Sequence, residues 1–223
     1  MAVLAIFLAS SPVLSGQIVR GQATSATAFK DSSADAKSTV RLRATAAIAR
    51  LPLDFERNEG QAPADVKFTS RLGAVSVSFL PDRMEFATRG AAATMLSLRL
   101  VGAKPSATMT ATEPLPGRSN FVIGNDPKAW RLGVQQFQRL RYSDVYDGID
   151  VSYYGNRDHL EHDFVVGPGA NPANIVIEVG GADKVTISPD GDAQLQTAQG
   201  TVSLRRPVVY QEIAGERHTI PGS

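Results

Sequence analysis

Three carboxylates, Asp144, Asp147 and Asp150, fall at intervals of three around Tyr142 and Tyr146. Carboxylates so placed could serve a calcium loop or the acid pair of a glycoside hydrolase. The spacing selects neither: the alternating Asp/Asn pattern of a calcium loop is missing, and an Asp beside Gly148 is explained by turn formation alone. His159 and His162 form an HxxH in His159-Leu160-Glu161-His162. Residues three apart on a strand project to opposite faces, so the two rings are not expected to share a metal. His159, Glu161 and Asp163 fall on one face, expected to be the wet one, while His162 joins Leu160, Phe164 and Val166 on the apolar one. Trp130 follows Gly124-Asn125-Asp126-Pro127, and Tyr153-Tyr154 follows Gly148-Ile149-Asp150. Exposed rings there could stack on sugars, which makes Trp130, Tyr146, Asp150, Tyr153 and Tyr154 the candidate ligand-binding residues. Asp147, Asp150, Glu161 and Asp163 are the carboxylates a hydrolase would draw on. Against both stands the expectation that a core claims most of only fifteen aromatic side chains.

The elements that must position these residues read as strands. Val75, Val77 and Phe79 alternate with serines, and Leu96, Leu98 and Leu100 alternate with Ser97 and Arg99. The same period of two returns in Leu160 to Val166, in Ile175, Ile177 and Val179, and in Val185 with Ile187. Turn residues separate the runs every 8 to 12 residues or so, the spacing of an all-β domain. Asp190-Gly191 predicts a tight primed hairpin turn, because both residues tolerate positive φ. Two sheet-rich stretches emerge, residues 66 to 112 and 134 to 213, joined by the Pro- and Gly-punctuated segment from Glu113 to Trp130. The expected fold is an all-β antiparallel β-sandwich, one or two small ones, with a short N-terminal helix over Val40–Leu51 ending at Pro52.

Composition narrows the function further. With no cysteine, disulfide scaffolds, thiolate metal sites and Cys nucleophiles are excluded. No phosphate-cradling loop, nucleophile elbow or His-Glu-x-x-His is present, so no cofactor and no metal are expected. Met1 to Leu14 is an apolar run of secretory-signal length, too short for a membrane-spanning helix. The expected domains are a signal peptide over 1–28, a flexible basic linker with the short helix over 29–50, and the β-sandwich over 51–223. Residues 29–50 hold five cations and two carboxylates, and residues 51–223 hold 17 and 20. Without Arg20 the chain balances 22 cations against 22 carboxylates, which argues against a nucleic-acid partner.

An ordered series of blocks runs through the chain: Leu51 to Gln61 (LPLDFERNEGQ), Val66-Lys67-Phe68, Leu98 to Ala103, Phe121 to Pro127 with Trp130-Arg131, Tyr142 to Gly155 (YSDVYDGIDVSYYG), Leu160 to Val166, and Arg206 to Glu212. In these blocks residues 51 to 213 resemble the N-terminal domain of bacterial secreted proteins that carry SBBP (seven-bladed β-propeller) repeats. His162 stands where such relatives often carry Tyr, and Asp147 where they often carry Pro. The resemblance implies a non-catalytic, exported or cell-surface β module placed ahead of a β-propeller or other extracellular domains. Polysaccharide or a surface protein is the further partner expected, and a carbohydrate-binding module and a carboxylate-dependent glycoside hydrolase are the rival expectations. If a propeller follows Ser223, an edge or packing surface for it is expected to stand exposed.

Overall fold

The computed structural model describes residues 2–10, 53–88, 95–156, 159–198, 200–213 and 216–219. The linker and the helix expected at Val40–Leu51 lie outside the described residues. The described residues form sixteen strands: β1 (Ala2–Ser10), β2 (Phe55–Arg57), β3 (Phe68–Leu72), β4 (Val75–Phe79), β5 (Arg83–Thr88), β6 (Leu96–Leu100), β7 (Thr108–Phe121) and β8 (Arg131–Tyr146), then β9 (Ile149–Asn156), β10 (His159–Val166), β11 (Ile177–Gly180), β12 (Lys184–Ile187), β13 (Ala193–Thr197), β14 (Gly200–Leu204), β15 (Val208–Ile213) and β16 (Glu216–Thr219). The described residues contain no α-helix, only single 3-10 turns at Pro127–Ala129 and Pro172–Asn174. The runs read as period two lie in strands, except that Ile175 caps the 3-10 turn and β11 begins only at Ile177; residues that alternate can bury one face of a pleated sheet.

The strands hydrogen-bond in the order β11-β6-β5-β4-β3-β2-β8-β9-β10-β1-β14-β13-β12, with β7 beside β8, β15 beside β1 and β16 beside β15. All pairings are antiparallel. Strand β8 is the fork. One of its edges carries β7 along its length, while the other carries β2 at Gln136 and Phe137 and β9 from Arg139 to Tyr146. The branches that leave β8 curl toward each other. Tyr142 of β8 donates its hydroxyl to the Pro81 carbonyl before β5, Lys104 N donates to the Val145 carbonyl at 2.9 Å, and the rings of Phe79 and Tyr153 meet edge-on at 5.3 Å. The buried side chains of both branches form one cluster, from Phe55 and Phe68 through Tyr153 and Phe164 to Leu195 and Leu204. The chain thus folds as one curled antiparallel sheet around one core, where two separate small sandwiches had been an open expectation.

Two local expectations are corrected. The segment from Glu113 to Trp130 is not a mere joiner, because β7 runs through it to Phe121. Pro114 and Pro116 are tolerated because β7 is an edge strand that pairs only β8, and its register shifts between Pro114 and Arg118. The hairpin at Asp190-Gly191 does form between β12 and β13, but around three residues, Pro189 to Gly191. Gly191 N donates to Ser188 O at 2.9 Å and Ser188 N to Asp192 O at 2.8 Å. Pro189 takes the first corner of the turn, Asp190 is not left-handed as a two-residue primed turn would need, and only Gly191, at φ 87°, turns left-handed.

Candidate functional site

The candidate residues cluster around β8, β9 and β10, whose registers sort them onto two faces. Leu140 lies opposite Tyr153 and Tyr153 opposite His162, while Arg139 lies opposite Tyr154 and Tyr154 opposite Glu161. The first set points into the core. Tyr153 and Tyr146 are buried there, so neither presents a ring to a sugar. Tyr153, His162 and Phe164 continue the aromatic row begun by Phe55 and Phe79, with centroids 5.3 to 5.9 Å apart and every contact edge-on except the tilted Tyr153–His162 pair. His162 is buried and its Nδ1 has no hydrogen-bond partner among the described residues. Burial pushes its pKa down to about 4, so the ring is neutral and behaves as an aromatic filler.

The second set forms a polar network on the outer face. Arg139 donates to Glu113 at 3.1 Å and to the Ser152 hydroxyl at 3.0 Å, and its guanidinium lies 4.6 Å from the centre of the Tyr154 ring. The Tyr154 hydroxyl donates to Asp163 at 3.0 Å, and the Tyr210 hydroxyl approaches the other Asp163 oxygen at 3.4 Å. Burial, with Asp163 and Glu161 beside it, raises the Tyr154 phenol well above the ordinary range and keeps it protonated. Glu161 and Asp163 are only 5% and 7% exposed, which corrects the expectation of a wet face. The face is covered because Asp163 finds donors in the tyrosine hydroxyls.

Asp144, Asp147 and Asp150 do converge, and the result is a brace for the β8–β9 turn. The Lys104 ammonium sits 2.9 Å from Asp144 and 2.6 Å from Asp147, and the two carboxylates raise its pKa, Asp147 more than Asp144. Asp150 accepts from Arg141 at 2.6 Å and from the backbone N–H of Asp144 at 2.7 Å. Asp144 takes a left-handed φ of 55° where the β8–β9 register shifts, and the Asp150 bond holds it there. Among the described residues no group of three His, Asp or Glu side chains is placed to hold a metal ion.

Trp130 stands apart from all of these. It closes the 3-10 turn before β8, at the opposite end of that strand from Tyr146, and its indole N–H donates to Gly124 O at 3.2 Å. Some 30 Å of strand separates it from Tyr154 at roughly 3.3 Å per residue, so the two rings cannot grip one small ligand. A polar cavity of about 730 Å³ gave no sequence signal of its own. It is lined by His159, Glu161, Asp190, Asp192, Arg205 and Arg206 among others, brought together from β10, the β12–β13 turn and the approach to β15. Its size suits a small ligand, and its charged walls suit a polar one.

No curated protein matches the chain. No solved structure matches it either. A family profile described as Domain of unknown function (DUF7948) matches residues 55–223, a span that takes in every strand from β2 to β16. The chain therefore belongs to the DUF7948 family.

Proposed function

We propose that this chain is a non-catalytic module of an exported protein, which supports and presents further extracellular domains such as β-propeller repeats. Its two curled branches are read as the layers of one sandwich. The observation that carries the proposal is the outer end of the sheet. Val185 lies opposite Leu195, and Ile187 opposite Ala193, so these residues share the face of the fully buried Leu195. Yet Val185 is 51% and Ile187 68% exposed, on the last strand of the path. An apolar core face that runs out uncovered at a sheet edge marks a docking surface for a further domain. The sequence resemblance to SBBP-repeat proteins points the same way; the leader-like first residues pair as β1 between β10 and β14, so the exported form this reading requires keeps them.

The test is a longer protein read from the gene past Ser223, compared with its Val185→Asp/Ile187→Asp variant. Amide exchange at β12 should be slowed by the following domain and restored by the variant, with the melting of this module itself unchanged. Identical exchange in the chain with and without its continuation would defeat the proposal. Export is checked by fusing residues 1–28 to a periplasmic reporter. A second reading, carbohydrate binding, is favoured by the charged cavity beside β10. It requires saturable polysaccharide binding that Arg205→Ala and Arg206→Ala weaken and that Trp130→Ala does not.

A further inference from the structure

Beyond Gln135, toward its N-terminal end, β8 pairs only with β7, and the two-stranded ribbon they form ends in the segment Phe121 to Trp130. Phe121 lies opposite Arg131, which brings Val122, Ile123 and Leu132 to the same tip. These aliphatic side chains are 58%, 64% and 62% exposed, among the most exposed large hydrophobics described. They expose apolar area that water disfavours, without any polar role of their own. The tip is also basic. From Gly117 to Gly133 the chain carries Arg118, Lys128 and Arg131 against Asp126; contacts across the fold add Arg71, 5.4 Å from the centre of the Phe121 ring, and the exposed Glu59, whose carbonyl accepts from Arg131 at 2.6 Å. Asp126, itself exposed, caps the 3-10 turn by accepting from Lys128 N at 3.0 Å, and Arg118 and Lys128 are exposed with it. The indole of Trp130 is half-buried beside them.

We infer that the β7–β8 tip is a membrane-docking element, which inserts Val122, Ile123 and Leu132 into the headgroup boundary of an anionic bilayer while Arg118 and Lys128 engage lipid phosphates. Aliphatic side chains with a tryptophan at the interface and cations around them match the layered chemistry of such a surface. The surplus of cations selects lipid over an apolar protein groove, which would gain nothing from them. The inference is independent of the contact assigned to β12, at the far end of the sheet.

The full chain is sedimented with phosphatidylcholine vesicles, with and without phosphatidylglycerol, while Trp130, the only tryptophan, reports insertion by a blue shift. Binding is expected only with phosphatidylglycerol and should weaken as salt screens the charges. Ile123→Ser/Leu132→Ser should lower the affinity at least about tenfold, given the area the two side chains would bury. Lys128→Glu should lower it severalfold, with circular dichroism unchanged in both variants. Binding that ignores lipid charge, binding untouched by the serine pair, or no binding would overturn the inference. A self-association removed by the same serine pair, without lipid binding, would assign the tip to a second copy of the chain and equally overturn it.

Discussion

Tyr153 and Tyr154 are neighbours with opposite fates, and so are His162 and Asp163. The odd-and-even alternation of β9 and β10 sends Tyr153 and His162 into an aromatic row and Tyr154 and Asp163 into a charged network. Both rows hold buried polar side chains, His162 in one and Glu161 with Asp163 in the other, and each solves that burial differently. Inside, the imidazole gives up its charge, because nothing in the row would compensate it. Outside, Asp163 is surrounded by hydroxyl donors, and an arginine stacks on one of the rings that supply them. A polar side chain under a tenth exposed thus carries no functional meaning by itself; whether it is neutralised or partnered decides what it can do.

The sharpest way to break the inner face is Phe79→Ala, which removes the ring that touches both Phe55 and Tyr153. We expect a loss of about 3–5 kcal/mol in urea unfolding. Acid attacks the same face through His162. Its pKa falls from 6.5 in the unfolded chain to about 4 in the folded one, so between those values the unfolded state binds more protons. Its contribution is constant above pH 6.5 and declines as pH drops toward 4, costing about 3 kcal/mol at the lower end. His162→Phe should remove that part of the pH slope while leaving stability at pH 7 nearly unchanged, as measured by unfolding at a series of pH values. On the outer face, Asp163→Ala deprives the Tyr154 and Tyr210 hydroxyls of an acceptor and should cost about 1–3 kcal/mol. A double-mutant cycle with Tyr154→Phe isolates the shared bond. Smallest is Arg141→Gln, which breaks the exposed pair with Asp150 and should change stability by less than about 1 kcal/mol. If Arg141→Gln proved costlier than Asp163→Ala, the distinction between a buried network and a surface brace would fail.

The strands of this molecule are legible where alternation is strong. Val75 to Phe79 and Leu96 to Leu100 could be read directly because every second residue is buried. Strand β7 escaped because its outer edge is unpaired and its exposed side chains need no alternation, so prolines are as welcome there as valines. The dipeptide Asp190-Gly191 announces the hairpin, while the loop it closes is three residues long because the turn begins at Pro189. Of the candidate ligand residues, Tyr153 and Tyr146 went to the core, as the small number of aromatics had made the general expectation. The covered outer face could not be foreseen. Tyr210 lies 47 residues from Asp163, and no local pattern announces such a partner. The cavity beside β10 was hidden for the same reason, since its walls come from three separate stretches.

The pairing of β6 with β11 has a consequence in time. Arg99 and Glu178, which form an ion pair across that ladder, are 79 residues apart. Strands β3 to β6 can zip together as hairpins as soon as they leave the ribosome, since each pairs with its neighbour in the chain. The strand that must flank Leu96, Leu98 and Leu100 is made several seconds after them at about 5–20 residues per second. Throughout that interval β6 is an unmatched apolar edge, a template for pairing with another nascent chain. The interval in which that edge stands open is therefore set by the speed of translation and not by the stability of the finished sheet.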